Sequence, residues 1–180
     1  MRNLLFLCLM YTPFTASAVS FSVCWDYECG IQKTIDITDE QWIFITTPLT
    51  SKATSAKQER QYIRQSIARF EQVVGRITGT DKDIAENAEG AGDPGQMDCI
   101  DESTNSTTYL KLLAQHQLLT FHQVEEPQVR NKWIFDVHWA AVISESSNRQ
   151  KFAVDSWFLD NGHPPYIQAL DAWKNNDDFD

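Results

Sequence analysis

Downstream of Ser55 the apolar residues Ile63, Ile67, Phe70, Val74 and Ile77 recur at steps of three and four, the period of an amphipathic helix. The segment "SAKQ" at residues 55–58 reads as a capping box at its start. A second helical set, Ile100, Tyr109, Leu110, Leu112 and Leu113, predicts a helix from about Cys99 to Gln115 with Asp98 as N-cap. Ahead of both, "QWIFITT", Gln41 to Thr47, has the branched and aromatic composition of a strand. Beyond them, "LLTFHQV", "KWIFDVHWAAVI" and "KFAVDSWF" predict successive strands separated by polar turns. Helix first and antiparallel sheet afterwards is the order of an α+β fold. Thr78 to Met97, between the helices, is a polar, glycine-containing loop of 20 residues. Loops that long in compact domains are functional or disordered. Its "DKD" lacks the glycine and distal glutamate of a calcium loop, so no metal is expected there.

The first 18 residues break this pattern. Arg2, an apolar run from Leu4 to Phe14 and "ASA" at residues 16–18 have the layout of a signal peptide cleaved after Ala18. The run is too short for a membrane span. Residues 19–180 then form one domain without internal repeats, in the periplasm or outside the cell, with no membrane attachment after cleavage. With Arg2 removed, 14 basic residues face 25 acidic ones, a formal charge of −11. That balance opposes nucleic acid as a partner, because a basic patch is needed to displace its counterions. The final "NNDDFD" is expected to be a solvated, frayed tail.

Export changes how the cysteines read. Cys8 leaves with the leader, and Cys24 and Cys29 in "CWDYEC" are close enough to close a small disulfide loop in an oxidising compartment. Cys99 is the odd one out, in the first helical turn of "GQMDCIDEST". Exposed N–H groups and the positive dipole end there favour thiolate, whereas Asp98, Asp101 and Glu102 oppose it by like charge. A nucleophilic Cys99 therefore requires an imidazolium nearby. His138, in "FDVHWAAVI", projects from its strand on the face opposite Phe135, Val137, Trp139 and Ala141. Asp155, an acid within the apolar "AVDSWF" of the next strand, needs a partner that a histidine one strand away supplies. Cys99, His138 and Asp155 are thus candidates for nucleophile, base and orienting acid. His122 in "TFHQV" competes for the base role, while His116 reads as helix surface and His163 as loop. Plainer readings stand beside these: an inert buried thiol, a structural histidine, and an Asp155 that holds a turn or pairs with Arg149 or Lys151.

The order of these parts resembles the transglutaminase-like branch of the papain-like cysteine enzymes. There a "DCxDxA" segment opens the core helix and leads on to a histidine strand and an aspartate strand; here "DCIDES", "HWAAVI" and "FAVDSW" follow in that order over residues 95–160. The whole chain also resembles a family of exported proteobacterial proteins with "GQ(M/L)DCIDES" and "VDSWFxDNG" segments, a likeness that carries no activity with it. The first resemblance implies a papain/transglutaminase-like fold, its core helix packed on an antiparallel sheet. It also implies a cofactor-free acyl transfer at a peptide or other amide-containing substrate. Cys99 would be nucleophile, His138 base and then acid, Asp155 the group that fixes the imidazole tautomer, and Gln96 a donor to the oxyanion. The alternative is a non-catalytic binding or interaction domain on the same fold, with Trp139, Trp157, Phe158 and Tyr166 as its recognition surface.

Overall fold

The computed structural model describes residues 19–131, 137–177 and 179. The chain starts with an antiparallel hairpin, β1 (Val19–Trp25) and β2 (Ile31–Ile37), followed by helices α1 (Asp39–Thr50) and α2 (Ala56–Thr78). A single 3-10 turn at Thr80–Lys82 and a long loop lead to α3 (Cys99–Gln115). Then come β3 (His122–Asn131), β4 (Val137–Glu145), β5 (Lys151–Asp155), β6 (Tyr166–Ala169) and a short α4 (Leu170–Lys174). The last four strands form one antiparallel sheet in chain order, so the architecture is α+β.

α3 is the central element. Tyr109, Leu110 and Leu113 pack with Ile63, Ile67 and Phe70 of α2, Phe21 of the hairpin, and Ala141, Ile143 and Val154 of the sheet. Phe70 and Tyr109 stack with ring centroids 4.5 Å apart. Alternation along β4 sends Ala140 and Val142 to the other face, where they meet Ala153, Leu170 and Trp173. Both faces of the sheet are covered, by α2 and α3 on one side and α4 on the other. His138 shares the parity of Ala140 and Val142 and lies with Trp173, 5.8 Å between ring centroids.

Three expectations need correction. Gln41–Thr47 is helical, because Thr38 and Gln41 cap α1 reciprocally: Gln41 N–H donates to Thr38 Oγ1 and Thr38 N–H to Gln41 Oε1. Ile45 and Leu49 then reach the core at helical spacing while Ile43 stays exposed, so the cap and tertiary packing outweigh strand propensity. At the start of α2, Ser55 accepts from Gln58 N–H, but Gln58 Oε1 bonds Thr54 rather than closing a box with Ser55. "NNDDFD" is not wholly solvated: Phe179 stacks on Tyr166, ring centroids 4.1 Å apart. Lys132–Asp136, in the expected histidine strand, and residues 1–18 lie outside the described residues, as do Asp178 and Asp180.

The two ends of the long loop are pressed together. Gly79 ends α2 in the left-handed region and Gly95 stands against it with φ +82°; a Cβ on Gly95 would lie 2.2 Å from the Gly79 carbonyl oxygen. Residues 79–96 thereby form a closed loop of the Ω kind.

Candidate active site

Asp98 sets the start of α3, its Oδ1 accepting from the N–H groups of Ile100 and Asp101 at 2.9 Å each. Cys99 is the first residue of that helix. Among the described residues nothing accepts its N–H, as at any first helical position without an added partner. The helix end meets the sheet where β4 begins, and Cys99 Sγ lies 4.0 Å from the Val137 carbonyl oxygen. The next residue is His138. Its Nε2 is 2.7 Å from Asp155 Oδ2, which leaves Nδ1 as the nitrogen available to Cys99. Asp155 Oδ2 also accepts from Trp173 Nε1 at 2.7 Å. Asp155 is buried, and among the described residues its hydrogen-bond partners are these two; Arg149 and Lys151 pair instead with Glu125.

Burial alone would lower the basicity of His138. Hydrogen bonds and opposite charge from Asp155 and from the Cys99 sulfur outweigh it and lift the imidazole to about 9. The ring is walled by Trp157 and Phe158, each with its centroid 5.1 Å away. Cys99, His138, Trp157, Phe158, Tyr27 and Arg130 line a cavity of about 400 Å³.

The disulfide loop supplies donors to two of the carboxylates around Cys99, of which Asp98 also lines the cavity. Cys24 and Cys29 are bonded, S–S 2.06 Å, and Asp26, Tyr27, Glu28 and Cys29 are all left-handed, with φ from +52° to +69°. That run presents successive N–H groups to α3. Asp101 Oδ2 accepts from Tyr27 N–H at 2.9 Å, Asp101 Oδ1 from Cys29 N–H at 2.7 Å, and Asp98 Oδ2 from Glu28 N–H at 3.0 Å. Burial and Asp98 still push Asp101 up to about 6, against those bonds. Glu102 points into the interior with Glu71 and Asp83, and burial raises all three: Glu71 and Asp83 to about 7, Glu102 well above the carboxylate range. Ser156 Oγ and Gly162 N–H donate to Glu71 at 2.7 and 2.9 Å, and Met97 N–H to Asp83 at 2.8 Å.

Gln96 has other work than an oxyanion donor. Its Nε2 donates to the Lys82 carbonyl at 2.8 Å and its Oε1 accepts from Ile84 N–H and Asn87 Nδ2, so its amide braces the Ω loop outside the cavity lining. The same loop bonds the segment after β5, Glu86 N–H to the Trp157 carbonyl and Ala85 N–H to Asp160, and places Ala88 in the cavity wall. His122 is pinned elsewhere: Nδ1 is 2.9 Å from Glu59 and Nε2 3.2 Å from Arg60. His116 caps α3 against Trp42, and His163 is exposed in its turn. Asn105 is buried and bonds both backbone groups of Cys24.

Sequence reasoning missed Trp173, Tyr27 and Arg130. Arg130 donates to the Trp173 carbonyl at 2.6 Å and lies over the Trp173 ring. Only the alternation "VSFSV", residues 19–23, hinted at the hairpin that carries Tyr27. Among the described residues, Cys24, Cys29 and Asp101 are the single grouping of three metal-ligating types, and the disulfide consumes both sulfurs. No described helix is long and apolar enough to cross a membrane. No family model, curated protein or solved structure significantly matches the chain.

Proposed function

We propose that the chain is an exported, cysteine-dependent acyl-transfer enzyme of the peptidase, amidase or transglutaminase-like kind, with Cys99, His138 and Asp155 as its catalytic set. One observation carries the reading: Cys99 and His138 line a single cavity, and His138 takes Asp155 on one ring nitrogen. An imidazole raised to about 9 holds its proton at neutral pH, ready to give it to a leaving amine. The Cys24–Cys29 bond and the leader-like first 18 residues support export to an oxidising compartment.

In the proposed reaction the Cys99 thiolate attacks the substrate carbonyl carbon and forms a C–S bond, and the Cys99 N–H donates to the developing oxyanion. The C–N bond breaks as the His138 imidazolium gives its proton to the leaving amine. Water or a second amine then attacks the thioester, giving its proton back to His138 while the C–S bond breaks and thiolate returns. Asp155 keeps the ring oriented throughout, its Oδ2 fixed by Trp173.

The aromatic lining of Tyr27, Trp157 and Phe158 suits the second reading, a binding domain without turnover. An activated ester such as p-nitrophenyl acetate separates the two. The enzyme reading expects a burst of nitrophenolate, an acetyl adduct on Cys99 by intact mass, and steady turnover that Cys99→Ser and His138→Ala both abolish. Absence of adduct and turnover in the folded protein leaves the binding reading.

A further inference from the structure

Among the described residues, Tyr27 is the aromatic wall of the Cys99 cavity that no other ring supports. Trp157 and Phe158 lean on each other, ring centroids 5.2 Å apart, and on His138. Tyr27 is pinned at its two ends instead. Its backbone N–H donates to Asp101 Oδ2 at 2.9 Å, and its hydroxyl donates to the Asn87 carbonyl of the Ω loop, next to Ala88 in the cavity wall. A ring held at both backbone and hydroxyl is in place before any ligand arrives, which lowers the ordering cost of binding.

That placement is built on an unfavourable backbone. Tyr27 is the second of four successive non-glycine residues in the left-handed region, Asp26 to Cys29, a run that L-residues avoid. The Cys24–Cys29 bond closes it, and Asp98 and Asp101 accept its N–H groups. Strained backbone persists where its surroundings over-determine it, and here the result is a ring beside Cys99. The polar groups of the wall are committed. Asp98 accepts with Oδ1 from Ile100 and Asp101 and with Oδ2 from Glu28, while Arg130 donates to the Trp173 carbonyl. What the cavity of about 400 Å³ offers beside Cys99 and His138 is ring surface from Tyr27, Trp157 and Phe158, together with the half-exposed Val137.

We propose that Tyr27 is a specificity-determining residue of the Cys99 site: it forms one wall of a pocket for a planar aromatic group carried by the acyl donor, and the Cys24–Cys29 loop is the element that positions it. The assignment deepens the acyl-transfer reading above and rests on it for the reacting carbonyl; the pocket rests on the cavity geometry.

The test compares Cys99 alkylation by N-phenyl iodoacetamide, N-cyclohexyl iodoacetamide and iodoacetamide at fixed pH, read by peptide mass, each rate divided by its rate on the urea-unfolded protein. No turnover is needed. The folded wild type should favour the phenyl reagent over both others by about twofold to tenfold, the factor an aromatic pair supplies. Tyr27→Ala should remove that preference, and Tyr27→Phe, which keeps the ring, should retain it. Cys24→Ser with Cys29→Ser should weaken it although Tyr27 is still present. A general loosening of the fold changes all the reagents alike and leaves the preference unmoved. No phenyl preference in the wild type, an equal one for cyclohexyl, or one that survives Tyr27→Ala would overturn the proposal. Ester turnover without phenyl preference would remove this assignment and leave the enzyme reading; a preference that depends on Tyr27 without ester turnover would leave the pocket and remove the enzyme reading.

Discussion

Replacing Asp101 by asparagine sets donor against donor at the base of the disulfide loop. Asp101 is fully buried and accepts three backbone N–H groups, those of Tyr27, Cys29 and Asp98, across its two oxygens. An asparagine has one acceptor oxygen, so whichever way it turns, its NH₂ faces either Cys29 N–H or the pair from Tyr27 and Asp98. Hydrogen bonds to a charged acceptor contribute about 1.5–3 kcal/mol each, and relief of the repulsion with Asp98 returns part of that, leaving a cost of about 2 kcal/mol. For a domain of this size that lowers Tm by about 4–8 °C. The assay pairs a thermal melt at neutral pH with the rate at which dithiothreitol reduces Cys24–Cys29, which should rise as the left-handed run loosens. Because Asp101 is held up to about 6, above its ordinary value, the folded wild type takes up a proton that the unfolded chain does not, and the gap between wild type and variant should widen on acidification below about 6. A Tm unchanged at neutral pH together with unchanged reduction would refute the idea that Asp101 holds the loop.

Other outcomes follow from the same contacts. Asp155→Ala strips partners from both His138 and the fully buried Trp173 and should cost about 3 kcal/mol in chemical denaturation, more than a surface substitution allows. Removing the disulfide with Cys24→Ser and Cys29→Ser should cost about 2 kcal/mol on the chain-entropy account of so short a loop, read as a lower urea midpoint at unchanged slope. Glu71 and Asp83 sit at about 7, above the ordinary carboxylate range, so the folded chain binds protons the unfolded chain has released; their contribution is complete at acid pH and lost as pH rises through about 7. His138, at about 9, adds a contribution complete below its ordinary value and lost through about 9. Tm should therefore fall from about pH 5.5 to about pH 8.5, and Glu71→Gln, which can still bond Ser156 and Gly162, should flatten the lower part of that fall. A Tm that rises over this range would contradict the buried-acid account.

What was legible in the sequence had local causes. The Asp98 cap and the period of Tyr109, Leu110 and Leu113 placed α3 at its observed bounds, and strand alternation put His138 on a defined face. Gln41–Thr47 misled because branched residues suit strands locally, while the decisive capping box begins at Thr38, just upstream. The roles of Asp98 and Asp101 were hidden for a different reason: both are satisfied by N–H groups some 70 positions away in sequence, aimed by a left-handed run that no propensity scale marks. Gln96 stands close to Cys99 in sequence, yet its amide is spent on the closed loop between the glycines 79 and 95. The contact of Asp155 with Trp173 depends on a short helix folding back over the sheet, a purely tertiary event.

The pH dependence of Cys99 alkylation bears most directly on the central proposal. If a His138 that keeps its proton to about 9 serves Cys99, the folded protein should keep labelling below neutral pH better than an isolated thiol does, and His138→Ala should lose that advantage. An isolated thiol instead slows about tenfold per pH unit below roughly 8.5. Wild-type labelling that follows this ordinary profile, or is the same in His138→Ala, would contradict the account.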